Sequence, residues 1–166
     1  MKRHESLIPV SRQHHGGLLT ARLLRNDAPP YKGMPTTAED KRAYALQFWE
    51  EHLKPHFQLE EATVFRTASA AGPSLREQAE ALEAEHRQLE QLLLALPQAS
   101  DADLPAWLDE VGRLLEQHIR TEERVFFDML QQELPEPTLQ ALKEQIAQHL
   151  ALRYTSCPVN QPLYIT

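Results

Sequence analysis

The chain has 166 residues, which is enough for one domain with a substantial hydrophobic core and too few for two domains that each have such a core. Its 24 acidic side chains outnumber the 17 basic ones, and the net charge of -7 argues against a nucleic-acid partner. Cys157 is the only cysteine, which excludes an intramolecular disulfide and a thiolate metal site and favours a reducing cytoplasm as the location. The sequence has no apolar run of membrane-spanning length and no apolar core of an export signal, so we expect no membrane partner.

Apolar residues at helical spacing predict a first helix between Ser6 and Asn26. Pro9 is compatible with this helix only in its first turn. The helix carries two adjacent histidines, His14 and His15. The segment DAPPYKGMP, which is rich in proline and glycine, then predicts a loop.

The second predicted helix is long and also carries a histidine. It begins after Thr36, where Glu39 completes a capping-box pattern, and it runs towards Ser69. Pro55 removes one backbone hydrogen bond within it and predicts a kink next to His56.

The third and fourth predicted helices repeat this arrangement. Ser74 and Glu77 form a second capping-box pattern, which opens a helix whose leucine stripe includes His86. After the loop PQASDADLP, a fourth amphipathic helix carries His118 and runs to about Gln132.

A shorter fifth helix is predicted from Leu139 to about Leu152, followed by a tail too rich in proline to be helical. The predicted fold is therefore all-α: an up-down-up-down four-helix bundle that, with the fifth helix, covers residues 1–152. Apolar residues in the tail predict that residues 153–166 pack on the bundle. Exposed apolar residues of the fifth helix and the tail also predict a homodimer.

One motif occurs twice, as HFQLEEATVF from His56 and as HIRTEERVFF from His118. Each copy has a histidine and a glutamate at i and i+4, namely Glu60 and Glu122, which places both side chains on one face of a helix. An imidazole and a carboxylate at this separation can bind one metal ion together, or the carboxylate can bridge to a second ion. Each copy is therefore a candidate half of a metal site.

Two helical hairpins related by a pseudo-two-fold axis would bring four ligand-bearing helices together. The candidate ligands are one of His14 and His15, together with His56, Glu60, His86, His118 and Glu122. Four imidazoles and two bridging carboxylates could bind a pair of ions with open coordination positions. Nitrogen and oxygen ligands without sulfur suit iron or manganese and do not exclude zinc. The pattern V-x-x-x-H before His14 matches L-x-x-x-H before His86, while His15 would align Leu18 with Leu89, so the choice stays open.

The segments SRQHHGGLL, WEEHLKPHFQLEEATVF, EAEHRQLEQLL and EQHIRTEERVFF together resemble a hemerythrin-like protein of the HHE cation-binding family. The resemblance covers roughly Leu7 to Gln132. It implies a non-haem di-iron centre bridged by Glu60 and Glu122 and by an oxo or hydroxo group. It also implies binding of, or reaction with, dioxygen, nitric oxide or peroxide, in sensing, iron handling or oxidative defence.

Oxygen-carrying hemerythrins have a second histidine one turn after the third-helix ligand, where this chain has Glu90, which argues against oxygen transport. One alternative is a weak redox activity towards peroxide or nitric oxide. Another is a non-catalytic iron store or sensor that acts through a partner protein. Glu90 and His52 are further candidates for the site. Glu61 and Glu123 are expected to be solvated or to accept hydrogen bonds from ligand imidazoles.

Overall fold

The computed structural model of the protein describes residues 2–156, and among these it contains helices and loops but no strand. Helix α1 is Ile8–Leu24. Helix α2 covers 38–71 in five consecutive parts: Ala38–Phe48, a π-helical turn Trp49–Leu53, Lys54–Glu60, a second π-helical turn Glu61–Phe65, and Arg66–Ala71. Helix α3 is Pro73–Ala95, extended by a 3-10 turn at Leu96–Gln98. Helix α4 covers 104–133 as Leu104–Thr121, a π-helical turn Glu122–Phe126, and Phe127–Glu133, and helix α5 is Glu136–Ser156.

The predicted all-helical class is confirmed, and the helix boundaries need small corrections. The cap of α2 is Thr37 and not Thr36, because the Thr37 side chain accepts a hydrogen bond from the backbone N–H of Asp40. Pro55 is preceded by the π-helical turn Trp49–Leu53, in which the N–H of Lys54 donates to the carbonyl of Trp49 five residues earlier. Helix α2 therefore continues past its proline because the backbone takes in an extra residue there.

The predicted capping box at the start of α3 is wrong. The helix begins one residue before this serine, with Gly72 as the capping residue and Pro73 in the first position. Ser74 already lies inside the first turn, and no side chain caps this end of the helix. Proline is suited to the first helical position because its fixed φ is already helical and its missing N–H is not needed there.

Helix α5 begins at Glu136 and continues to Ser156, so it is longer at both ends than the sequence predicted. Pro137 is its second residue, where a proline does not interrupt the backbone hydrogen bonds. Residues 153–156 are thus helical, where an irregular tail was expected to start. The remainder of the predicted tail, 157–166 with Cys157, lies outside the described residues.

Helices α1 and α4 approach each other closely at two glycines. A Cβ atom on Gly112 of α4 would lie 2.5 Å from the backbone carbonyl oxygen of Ala21 in α1. A Cβ atom on Gly17 of α1 would lie 2.6 Å from Cδ1 of Ile119 in α4. The absence of side chains at these two glycines lets the two helices approach each other.

The hydrophobic core consists of two clusters. The first contains Leu7, Val10, Leu59, Val64, Phe65, Ala68, Leu75, Ala79, Leu82, Phe126, Phe127 and Leu130, together with Leu134, Leu139, Leu142 and Ile146 near and on α5. The second contains Ala21, Leu24, Ala45, Trp49, Leu53, Phe57, Leu89, Leu93, Leu96, Ala99, Leu104, Leu108, Val111, Leu115 and Ile119. Along each of the four bundle helices, buried polar side chains lie between residues of the first cluster and residues of the second. The core is therefore divided by a polar layer.

Candidate metal centre

Four histidines and two glutamates form the polar layer between the two clusters. They are His14 of α1, His56 and Glu60 of α2, His86 of α3, and His118 and Glu122 of α4. Each of them is at most 5% exposed, and both carboxylates are fully buried. The sequence predicted ligands on four helices. Apart from His15, the side chains of all these candidates meet in this one layer.

The first group of ligand atoms comes from His14 and His56. Their Nε2 atoms lie 3.1 Å apart. Oε1 of Glu60 lies 3.4 Å from Nε2 of His14 and 3.2 Å from Nε2 of His56. Oε2 of Glu122 completes the group at 3.3 Å from Nε2 of His14. Ligand atoms of these four residues all lie within 4.8 Å of one another, a separation suited to one metal ion.

The second group repeats the arrangement with His86 and His118, whose Nε2 atoms are also 3.1 Å apart. Oε2 of Glu60 lies 3.3 Å from Nε2 of His86, and Oε2 of Glu122 lies 3.4 Å from Nε2 of His118. Glu60 therefore turns one carboxylate oxygen towards each histidine pair. Both glutamates belong to both groups, which is the arrangement needed to bridge two ions.

The outer nitrogens of two of the histidines bond to carboxylates in the way the sequence predicted. Nδ1 of His14 donates to Oε1 of Glu123 at 2.6 Å, and Nδ1 of His86 donates to Oε1 of Glu61 at 2.9 Å. Each acceptor directly follows a glutamate of the polar layer, so one short segment of helix supplies both a candidate ligand and a support for a histidine on another helix. Such bonds orient an imidazole and make its other nitrogen a better ligand.

The sequence reasoning missed the acceptors of the other two histidines. Nδ1 of His56 donates to Oε1 of Gln13 at 3.1 Å, and Nδ1 of His118 donates to Oε2 of Glu85 at 2.8 Å. Each acceptor directly precedes a candidate ligand histidine in the chain, and this adjacency is the signal that could have found them. With Nδ1 as the donor in all four rings, each imidazole, when it is neutral, directs a bare Nε2 lone pair into the layer.

The polar layer requires positive charge between its two carboxylates and four imidazoles. All four oxygens of Glu60 and Glu122 are buried and accept no hydrogen bond from the residues that the structure describes. A buried carboxylate without a partner is strongly destabilising, and facing lone pairs on paired imidazoles repel one another. A metal ion in each group would accept these lone pairs and neutralise both carboxylates, so the residues present fit a pair of cations.

In the metal-free protein, protons supply part of this charge. Burial raises the pKa of Glu60, but the charge of His56 and contacts with other imidazoles lower it well below its usual range. Burial lowers the pKa of His14, but its close contacts with carboxylates, first Glu122 and then Glu123, raise it well above its usual range. Burial also lowers the pKa of His86, but contacts with carboxylates raise it more, so that its pKa is about 9. The layer therefore retains protons in the absence of metal.

The structure decides between the alternatives that the sequence left open. His15 is exposed and lies outside both groups, because neighbouring residues on a helix point about 100 degrees apart and only His14 can face the core. The Glu90 side chain is 33% exposed and pairs with Arg87, so it does not join the site. The His52 side chain is 64% exposed and also lies outside both groups.

The helices that carry the two glutamates change their geometry at the site. The π-helical turn Glu61–Phe65 starts directly after Glu60, and the turn Glu122–Phe126 starts at Glu122 itself. In the second of these turns the N–H of Phe127 donates to the carbonyl of Glu122, five residues earlier. Such turns occur often at functional sites, and the sequence pattern of α2 and α4 did not predict them.

A pocket of about 580 Å³ lies beside the first group. Its lining includes exposed His52 and also buried His14 and His56, so it extends from the surface to the polar layer. A small ligand could therefore reach this side of the site.

None of the helices in residues 2–156 has the length and apolar character needed to cross a membrane. No curated protein and no solved structure compared with this chain matches it. The family model for the hemerythrin HHE cation binding domain matches residues 10–130, a range that contains α2, α3 and almost all of α1 and α4, with every residue of the polar layer. The chain therefore belongs to the hemerythrin HHE cation-binding family.

Proposed function

We propose that the protein is a non-haem di-iron protein that binds or reacts with dioxygen, nitric oxide or peroxide. The observation that carries the proposal is the pair of histidine groups that share two fully buried glutamates, whose four oxygens have no hydrogen-bond donor among the described residues. The family match supports the binding of cations. We propose iron as the metal, and dioxygen, nitric oxide or peroxide as the small ligand.

The donor set is compatible with iron. Each group offers two imidazole nitrogens and two carboxylates, without sulfur, and this mixture suits iron or manganese and also accommodates zinc. Four protein ligands for each ion leave positions open in an octahedral coordination sphere. A bound iron pair would supply open coordination positions for a small ligand and ions that can change oxidation state, which reduction of that ligand requires. Glu60 and Glu122 would bridge the ions.

The protein residues contribute orientation and exclusion of water. The acceptors on the Nδ1 atoms hold the four imidazoles in one tautomer and direction. The two hydrophobic clusters close the layer above and below, and the pocket beside His14 and His56 offers a small ligand a route inwards. We propose that this combination serves sensing, iron handling or oxidative defence. A cytoplasmic location and a homodimer stay predictions.

The first experiment compares two adjacent histidines. Wild-type protein, His14→Ala and His15→Ala are purified without oxygen from iron-supplied cells, and iron per chain and the absorption spectrum are measured before and after exposure to air. We expect two irons per chain and new near-ultraviolet absorption in the wild type and in His15→Ala, because only His14 contributes to a group. His14→Ala should lose most of its iron.

A wild type that binds less than half a metal ion per chain after reconstitution would refute the proposal. With iron bound, the loss of peroxide or nitric oxide is then followed in the wild type and in Glu60→Ala. Turnover that disappears in Glu60→Ala indicates an enzyme. Negligible turnover, with partner binding that depends on metal or oxygen, indicates a sensor or a store.

A further inference from the structure

The segment that precedes α1, residues 2–6, reaches the support of the metal centre through one arginine. Nη2 of Arg3 donates to Oε2 of Glu123 at 2.7 Å and also to the backbone carbonyl oxygen of that residue. The other carboxylate oxygen of Glu123 accepts the hydrogen bond from Nδ1 of His14. A single carboxylate therefore connects this N-terminal segment to a candidate ligand.

A second connection between Arg3 and His14 runs through an aromatic ring. The guanidinium carbon of Arg3 lies 5.0 Å from the centre of the Phe127 ring, and Phe127 is fully buried. The same ring stacks on the imidazole of His14, with 5.8 Å between the ring centroids and an interplanar angle of 14°. A cation over the face of an aromatic ring is attracted to it. Arg3 thus contacts both the acceptor that orients His14 and a ring that packs against it.

Other contacts hold the N-terminal segment against α4. Nη1 of Arg3 lies 3.3 Å from Oε1 of Gln131, and the backbone N–H of His4 donates to the same oxygen at 2.9 Å. The segment also contacts α5, where Glu5 lies 3.0 Å from Nζ of Lys143. Both of these side chains are exposed, and exposed ion pairs contribute little to stability. The contacts with α4 should therefore fix the segment more strongly than this ion pair does.

Arg3 has two opposing effects on a bound cation. Its positive charge repels the cation, whereas its contacts restrict the movement of Glu123 and His14 and so favour binding. The repulsion is reduced by Glu123 and by Asp128, whose Oδ1 lies 3.3 Å from Nη1 of Arg3, and solvent screens it further. The restriction acts through direct contacts and is not screened. We therefore expect the restriction of movement to be the larger effect.

We propose that the N-terminal segment is part of the support of the metal centre, with Arg3 as a positioning residue that fixes His14 through Glu123 and Phe127, so that docking of the segment and binding of metal favour each other. This inference rests on the proposed metal-binding function. The segment lies before residues 10–130, so a part of the chain outside the family match supplies this support. The coupling is reciprocal: a docked segment that raises the affinity for metal must itself be stabilised by metal to the same extent.

Zinc is a suitable probe because it has no redox chemistry. Its apparent affinity for the full-length chain is measured by competition with a chromophoric chelator in the wild type, Arg3→Gln and Arg25→Gln. Arg25 is the matched control, because its side chain is 20% exposed, compared with 17% for Arg3, and it pairs with Glu116 of α4 outside both groups of ligands.

We expect Arg3→Gln to weaken the apparent zinc affinity about threefold to tenfold. This loss is smaller than the 10–100-fold that is typical when a direct support of a ligand is removed, because Arg3 acts through Glu123 and Phe127. Arg25→Gln should leave the zinc affinity unchanged. Arg3→Lys retains the charge but not the planar fork of donors, so it should restore only part of the affinity.

A spectroscopic measurement separates positioning from packing. In the zinc-loaded protein, NMR follows the exchange of the Nδ1–H proton of His14 with water. Without Arg3 the hydrogen bond from His14 to Glu123 should open more often, so this exchange should be faster in Arg3→Gln. The Nδ1–H proton of His118, which donates to Glu85, is the internal control and should exchange at the same rate in both proteins.

The reciprocal effect is measured at the N-terminal segment itself. The backbone N–H of His4 donates to Gln131 only when the segment is docked on α4, so its hydrogen exchange reports undocking. Zinc should slow this exchange in the wild type by a factor similar to the loss of affinity in Arg3→Gln. In Arg3→Gln zinc should have little effect on it.

The outcomes distinguish this inference from the proposed function. Unchanged or increased zinc affinity in Arg3→Gln, an equal loss in Arg25→Gln, or equal acceleration of exchange at His118 would overturn the role of Arg3 and leave the metal centre intact. Full recovery of the affinity in Arg3→Lys would also overturn it, because charge alone would then be sufficient. Binding of less than one zinc ion per chain by the wild type would overturn the metal centre and this inference with it.

Discussion

Glu60 and Glu122 are the residues whose charge most needs a partner that the protein does not supply. Both are fully buried, and none of their oxygens accepts a hydrogen bond within the described part of the chain. An unpaired buried charge is among the most costly features in a folded protein, so these side chains make sense only with bound cations or protons.

Neutralising one of these carboxylates should disrupt both metal positions. In Glu60→Gln we expect metal content to fall sharply at both groups, since Glu60 directs one oxygen towards each. Glu90→Gln is the matched control, because Glu90 is another acidic residue of the bundle but pairs with Arg87 outside the site. Metal analysis after dialysis measures both. Equal metal content in the two variants would contradict the bridging role of Glu60.

The metal-free protein should have an unusual dependence of stability on pH. The pKa of His86 is raised from 6.5 to about 9, so its contribution to stability is complete below pH 6.5 and is lost as the pH rises through 9. Burial raises the pKa of Glu123, but hydrogen bonds to His14 and Ser11 lower it from 4.5 to about 2, so its contribution is lost as the pH falls from 4.5 towards 2.

Urea denaturation of chelator-treated protein tests this dependence. The free energy of unfolding should be greatest between about pH 4.5 and 6.5 and should fall as the pH is raised to 9. Metal-loaded protein, in which cations replace the protons, should show a weaker alkaline decrease. A metal-free protein that gains stability between pH 6.5 and 9 would refute the role of His86.

At the scale of the elements, the position of α1 against α4 determines whether His14 reaches the other ligands. The two helices approach closely because Gly112 faces a backbone carbonyl of α1, an atom that cannot move aside as a flexible side chain can. At this contact the backbones of α1 and α4 pack directly against each other. This packing joins the two helices in addition to the contacts of the polar layer.

Gly112→Ala should therefore destabilise the protein by about 1–3 kcal/mol, as overpacking in a close-packed interior commonly does. Gly16→Ala is the control within α1, since its Cβ would lie 3.6 Å from the Phe48 ring, an ordinary contact. That variant should be neutral or more stable by about 0.5–1 kcal/mol, because alanine favours helix over glycine. Chemical denaturation of the metal-free proteins measures both. Equal destabilisation would argue against the close contact at Gly112.

At the scale of the whole molecule, one polar layer connects all four bundle helices and separates the two hydrophobic clusters. Because each group of ligands draws on residues from three helices, bound ions would hold the helices together in their folded arrangement. Folding and metal binding should therefore be coupled.

Removal of metal should lower the melting temperature, and adding metal back should restore it. The stabilisation should increase with metal concentration and reach about 2.7 kcal/mol per site at a free concentration one hundred times the Kd. Differential scanning calorimetry of chelated and reconstituted protein measures the change. Glu60→Gln should show little of it, and the same metal-dependent increase in that variant would indicate binding elsewhere on the surface.

The sequence by itself determined the helical class, the family resemblance and the two histidine–glutamate pairs. These features depend on local periodicity: residues at i and i+4 share a helix face wherever the helix is placed. His56 with Glu60 and His118 with Glu122 could be predicted as pairs for this reason. The helix ends were predicted less well, as Thr37 and Pro73 show, because several nearby residues could cap each helix.

Only the tertiary structure decided which side chains meet across helices. The rotation of α1 about its axis selected His14 over His15, and the packing of α1 on α2 and of α3 on α4 made Gln13 and Glu85 the acceptors for histidines of other helices. The pocket beside His14 and His56 also depends on packing, because residues of several helices line it. Contacts between distant segments depend on how helices rotate and approach one another, and the periodicity of a single helix carries no information about its neighbours.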